Sequence, residues 1–272
     1  MPVADGGEGT LDALAAAGLV DAAYSVDVPD AFGRRRRARW IRLRDGTAVI
    51  EAAQAIPLDP ARLDVRNASS RGVGELVAAA SAAEPVAALV VALGGTANMD
   101  GGAGLLDVVE ELTLPTRVAC DVHTRLVDAP RLFGPQKGAT PHDVRELELQ
   151  FANHPYGALA GSGAAGGLGA ALASLGAELV PGAELVLELV GFDPRGYDLV
   201  VTGEGTVDAT TWEGKAPAAV VRACARAGVR CVVFGGQVRD DGEAIALSGD
   251  PSRAVDDLVT LGTRLGRVLA NE

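Results

Sequence analysis

The stretch VAALVVALGGTANMDGGAG (Val86–Gly104) decides how this chain is read. Its first half, Val86–Leu93, is apolar at every position and so has no polar face to offer water. Continuous rather than alternating apolarity marks a strand buried on both faces, as in a parallel sheet covered by helices. The run ends in Gly94-Gly95, and a second pair, Gly101-Gly102, follows across Thr96, Asn98 and Asp100. Glycines let backbone N–H groups come close to a ligand, and the N-terminus of a following helix favours an anion. The string is neither a Walker A sequence nor G-x-G-x-x-G, and a plain strand-to-helix turn stays open as its other reading.

The same order of strand, glycine loop and helix returns towards the C-terminus. YDLVVTGEG (Tyr197–Gly205) reads as a strand, KAPAAVVRACARAG (Lys215–Gly228) as a helix, VRCVVFGGQV (Val229–Val238) as a strand, with a last helix from Ser252 onward. Such alternation predicts a Rossmann- or flavodoxin-like parallel α/β sheet, with its site at the C-terminal ends of the strands. The first third differs. Leu11–Gly18 reads as a short helix, and RARWIRLRDGTAVIEAA (Arg37–Ala53) alternates around Asp45-Gly46, a strong hairpin signal. The change of pattern at Asn67 suggests two domains, one of residues 67–106 and 160–272 and a smaller, discontinuous α/β domain of residues 1–66 and 107–159 carrying the hairpin.

Composition narrows the function. The chain has 272 residues, is 48% hydrophobic but only 4% aromatic, and contains 35 glycines, so Ala, Val and Leu must build its core. A net charge of −12 excludes a nucleic-acid backbone as partner, because phosphates require clustered Lys and Arg. The basic run Arg34–Arg37 with Arg39 reads as a solvated turn and strand edge. Cys120, Cys224 and Cys231 form no CxxC pair and sit in apolar surroundings, which fits a reducing cytoplasm, and no signal peptide or membrane span is legible. His123, His142 and His154 lack metal spacing, and no nucleophile elbow is present.

Three further strings carry candidate chemistry. In LVVTGEGTVDATTWEGKAP (Leu199–Pro217), Glu204, Asp208 and Lys215 follow a strand. Carboxylates there can take Mg²⁺ or receive a hydroxyl proton, and a lysine entering a helix can neutralise phosphate oxygens. FGPQKGAT (Phe133–Thr140) places Lys137 between turn formers, where a solvent-facing lysine is an equal alternative. AGSGAAGGLGAAL (Ala160–Leu172) reads as close packing through small residues more readily than as a phosphate loop.

Together with PVADGGEGT, ASSRGVGEL and ACDV, these strings resemble the bacterial glycerate kinases of the glycerate 2-kinase type, in family order from Pro2 to about Gly236. Against that family the chain reads as N-terminally shortened and internally deleted. The resemblance implies two α/β domains with the site in the cleft between them. It also implies transfer of the ATP γ-phosphoryl group to D-glycerate, more readily at the 2-hydroxyl, with Mg²⁺. It further implies Asp208, Lys215 and Glu204 as catalytic residues, with Asp208 on the glycerate hydroxyl and Lys215 on phosphate oxygens. Asp5, Glu8, Ser69, Ser70, Gly94, Gly95, Thr96, Asp100 and Lys137 would bind substrate or phosphate, and Asp121 and Asp100 are candidate Mg²⁺ ligands. The implied partners are a nucleotide and a small acid, in the cytoplasm, with a homodimer as a further expectation. A family member that binds without catalysing remains the alternative. An oxidoreductase is disfavoured, since no G-x-G-x-x-G turn follows a strand.

Overall fold

The computed structural model describes residues 1–239 and 243–270. The chain forms two compact units, Met1–Val190 and Gly191–Glu272.

The first unit is built on a six-stranded sheet in the order β1-β2-β3-β4-β5-β6. Its strands are β1 (Val20–Pro29), β2 (Arg35–Leu43), β3 (Thr47–Glu51), β4 (Ala88–Leu93), β5 (Thr116–Cys120) and β6 (Glu178–Pro181). Strands β1, β2 and β3 pair antiparallel, whereas β3 through β6 run parallel. The expected hairpin is the β2–β3 connection. Gly46 takes φ 87° there, a left-handed value that only glycine adopts freely, and Asp45 accepts a hydrogen bond from the Thr47 N–H at 2.8 Å.

Helices cover both faces. They are α1 (Thr10–Ala16), α2 (Ala52–Ala55), α3 (Arg71–Ser81), α4 (Ala103–Leu106), α5 (Ala129–Phe133), α6 (Pro141–Phe151), α7 (Leu168–Ser174) and α8 (Gly182–Leu189). Strand β4 shows why the opening run is apolar throughout. Leu89, Val91 and Leu93 pack with Val73, Leu76 and Val77 of α3 on one face. Val90 and Ala92 pack with Leu11 and Leu14 of α1 and Leu185 of α8 on the other. Each fully buried Val or Leu contributes roughly 1.5–3 kcal/mol, so the strand has no room for a polar position. Met99, fully buried, joins a third cluster with Val65, Leu126 and Phe151.

The expected division into domains is corrected by the strand pairing. Strand β3, from the segment assigned to the smaller domain, pairs in parallel with β4 along Thr47–Glu51 and Ala88–Ala92, so both belong to one sheet. The shift of pattern at Asn67 marks where the sheet changes from antiparallel to parallel neighbours, not where a domain ends.

The second unit carries the three-stranded parallel sheet β7 (Leu199–Val207), β8 (Arg230–Val238) and β9 (Ile245–Ala246), with α9 (Ala216–Ala227) and α10 (Ala254–Leu269). Among the described residues no helix is long and apolar enough to cross a membrane.

Candidate functional site

In the first unit the parallel strands end side by side at Glu51, Leu93 and Cys120, with Gly94 and Asp121 the first residues beyond, at the edge where α/β sheets present their loops. Residues 5–9 lie against this edge. A Cβ at Gly94 would fall 2.7 Å from the Gly7 Cα and 2.8 Å from the Asp121 Oδ2, so only glycine permits the approach. Glu51 secures the same segment. Its side chain is buried, and its two oxygens accept from the N–H groups of Gly9 at 3.1 Å and Leu11 at 3.2 Å. These are orphan donors at the start of α1. Glu51→Ala should therefore lower stability by about 2–4 kcal/mol, two buried donors losing their acceptor. A chemical denaturation midpoint unchanged from wild type would contradict this role.

Asp5 is half-buried and accepts from the Gly7 N–H at 3.1 Å. Glu8 is exposed, and its carboxylate lies beside Gly95.

Asp100 and Ser70 form one closed node. The Asp100 carboxylate accepts from the Ser70 N–H and Oγ at 2.8 Å each, from Asn98 Nδ2 at 2.9 Å, and from the N–H groups of Gly102 at 3.1 Å and Gly104 at 3.2 Å. The Ser70 Oγ in turn accepts from the Leu105 N–H at 3.0 Å. Two carboxylate oxygens have about four lone-pair sites, so this carboxylate is saturated by the protein itself. Ser69 accepts from the Arg71 N–H at 3.2 Å. Thus the ASSRG and DGG strings, expected to face ligand and cation, lock α3 to α4.

The open chemistry lies at Lys137, Asp121 and Thr96. Lys137 ends a short turn, Pro135–Lys137, that follows α5. It is only 5% exposed, and its Nζ donates to the Asn98 carbonyl oxygen at 2.8 Å. Burial pulls the Lys137 ammonium down to about 8, against the attraction of Asp121 and Asp100. Burial first, and then the charge of Asp5, pushes the Asp121 carboxyl up to about 7. The Asp121 Oδ1 and the Thr96 Oγ1 are both buried without a hydrogen-bond partner among the described residues. Such orphans are uncommon, because an unpaired buried polar atom costs about 1–3 kcal/mol. Asp121, Thr96 and Lys137, with Gly94, Gly95 and Gln136, line a cavity of about 80 Å³.

In the second unit the sequence-predicted residues come together at the end of β7. The Thr211 hydroxyl, fully buried, donates to Glu204 Oε1 at 2.5 Å and accepts from the Asp208 N–H at 3.0 Å. Lys215 Nζ lies 3.7 Å from Glu204 Oε2. Asp208 Oδ1 accepts from the Thr210 hydroxyl at 2.5 Å and N–H at 2.9 Å. The Thr210 hydroxyl bond leads in holding its carboxyl below the usual range, so Asp208 is ionised at neutral pH. This is an anionic, hydrogen-bonded loop with one lysine at the start of α9.

Sequence reasoning missed Glu51, the Asn98 carbonyl and the bridging role of Thr211. Glu51 ends an apolar strand, and an acid following AVI was the available signal; backbone carbonyls leave none. Burial pushes the thiols of Cys120 and Cys231 up to about 12, and Cys231 is half-buried rather than buried, so none of the three cysteines is poised as a nucleophile. Among the described residues no group of three or more His, Cys, Asp or Glu could hold a metal ion.

The profile of the glycerate kinase family matches residues 1–114 and 107–252. A glycerate kinase of Halalkalibacterium halodurans is 35% identical over 90% of this chain and 78% of its own length. The glycerate 2-kinase of Escherichia coli K12 is 33% identical over 89% of this chain and 76% of its own. A crystal structure from Salmonella typhimurium LT2, provisionally named glycerate kinase 2, superposes with a TM-score of 0.80 at 29% identity, covering 99% of this chain and 88% of that one.

Proposed function

The chain belongs to the glycerate kinase family, and we propose that it transfers the γ-phosphoryl group of ATP to the 2-hydroxyl of D-glycerate, giving 2-phosphoglycerate. The observation that supports this most is the grouping of Lys137, Thr96 and Asp121 around one small polar cavity at the strand ends. Phosphoryl transfer asks a protein for positioning and charge neutralisation rather than covalent chemistry, and both loops offer that.

In the first unit the cavity holds the small acid. Mg²⁺ usually takes one or two carboxylates and leaves its other positions to water and phosphate. Asp121, with an unpaired buried oxygen and Asp5 near enough to act on its charge, fits that description. Asp100 does not, because five donors occupy its carboxylate. Asp121 and Asp5 would hold the ion, which when bound offsets negative charge on phosphate oxygens. In the second unit Lys215 meets phosphate oxygens and Glu204 keeps its ammonium in place. Asp208, ionised by its Thr210 hydrogen bonds, is a carboxylate able to accept a hydrogen bond from a substrate hydroxyl.

The test is a coupled assay of the purified chain with ATP, Mg²⁺ and D-glycerate. Phosphoglycerate should form, and a folded protein that gives none above background would refute the reading. Asp208→Ala should lower kcat/KM by about 100-fold, the size of effect that a positioned carboxylate gives. A near-normal rate would remove Asp208 from the reaction.

A further inference from the structure

Of the 24 lysines and arginines in the chain only two are lysines, Lys137 and Lys215. Arginine is therefore the ordinary cation of this protein, and a lysine marks a place for a compact ammonium on a flexible stem instead of a planar fork. Lys215 does little for the fold. It stands at the N-terminal end of α9, where a cation opposes the helix dipole. Its side chain is 34% exposed, and an ion pair in that setting, here with Glu204 Oε2 at 3.7 Å, adds little to stability. Yet a fully buried hydroxyl is committed to the same carboxylate. Thr211, in the single turn Ala209–Glu213, accepts from the Asp208 N–H at 3.0 Å, which leaves its one proton for Glu204 Oε1 at 2.5 Å. One oxygen of Glu204 is thereby engaged, and the other is left for Lys215.

We propose that Thr211 is a positioning residue whose hydroxyl fixes the Glu204 carboxylate and, through it, the place of the Lys215 ammonium. Without that hydroxyl the Glu204 side chain is free to turn towards water, and Lys215, on its long flexible stem, follows it. A misplacement of about 1 Å at a charged group costs a reaction that depends on positioning on the order of 100-fold. The same shift in a partly exposed ion pair costs the fold almost nothing. Thr211 acts through Glu204 and needs no contact with a ligand. This rests on the reading of Lys215 as the residue that meets phosphate oxygens, and adds to it the group that holds Lys215 there.

A double-mutant cycle separates positioning from a purely structural role. Thr211→Val keeps the shape and should lower kcat about 100-fold, whereas Thr211→Ser restores the hydroxyl and should restore the rate. In a Glu204→Ala background Thr211→Val should change kcat by no more than about twofold, because the hydroxyl has no carboxylate left to hold. A hydroxyl that served only the turn, through the Asp208 N–H, would cost the same factor in both backgrounds. That result, with phosphoglycerate formed by wild type, would overturn the proposal and leave the kinase reading standing. The same cycle is read as ATP affinity by equilibrium titration in EDTA, where Thr211→Val should bind about tenfold more weakly. If wild type binds ATP but forms no phosphoglycerate, the kinase reading falls and the affinity cycle decides for or against Thr211. A wild type that neither binds ATP nor forms phosphoglycerate would overturn both. Should Thr211→Val fail to fold, Thr211→Ala takes its place in the cycle. If neither folds, Thr211 holds the unit together and the proposal is overturned.

Discussion

Asp121→Asn should lower phosphoryl transfer by on the order of 100-fold and, in the same protein, raise its stability at about pH 8. The two effects have one origin. Burial pushes the Asp121 carboxyl up to about 7 from an ordinary value of 3.8. A raised carboxyl pKa means that, between about pH 4 and pH 7, the folded chain holds a proton that the unfolded chain has released. Stability attributable to this group therefore falls as pH rises through that window, and the full penalty is present above it. Asn carries no charge to desolvate, so the variant escapes the penalty. The gain at about pH 8 should be near 2 kcal/mol rather than the ~4 kcal/mol of an isolated group with this shift. The lost carboxylate had also favoured the charge on Lys137. At about pH 4 wild type and variant should converge. Urea unfolding in EDTA at both pH values measures this. A variant less stable than wild type at the higher pH would show that Asp121 holds the fold together and is not kept for a ligand.

Asp100→Ala should do the reverse, with a loss of roughly 3–5 kcal/mol and collapse of the α3–α4 junction. Five donors converge on this carboxylate, and three of them come from the buried residues Ser70 and Asn98. Alanine leaves all five without an acceptor, in a place that water reaches poorly. Asp100→Asn keeps one acceptor oxygen and introduces a second donor group, so its loss should be intermediate. Denaturant midpoints of the two variants give the order. A stable Asp100→Ala protein whose only defect is catalytic would restore Asp100 to the metal or substrate role expected from its motif.

These two aspartates show what the sequence allows to be read. Asp100 stands in a glycine-rich loop after a strand and Asp121 directly after another strand, and nothing in their neighbours separates a saturated carboxylate from an orphaned one. The difference lies in distant donors. Ser70 is 30 residues from Asp100 in the chain, and single-sequence reading does not reveal that pairing. The apolar run Val86–Leu93 was legible because both of its faces meet helices, so composition alone encodes its environment. The Asp45-Gly46 turn was legible because a left-handed residue is required there. The domain division was not, because a change from antiparallel to parallel pairing within one sheet alters the local pattern as a domain boundary would. Lys137 was weighed evenly between solvent and site. A lysine is rarely buried, and only the fold reveals that this one donates to the Asn98 carbonyl inside a cavity. The cluster of Glu204, Asp208, Thr211 and Lys215 was legible as a loop of charge, whereas the hydroxyl of Thr211 that ties it together was not.

The most direct measurement is a crystal structure of the chain with D-glycerate. The account predicts D-glycerate in the cavity lined by Lys137, Thr96 and Asp121. Well-defined D-glycerate seated elsewhere, with none of these side chains touching it, would contradict the account.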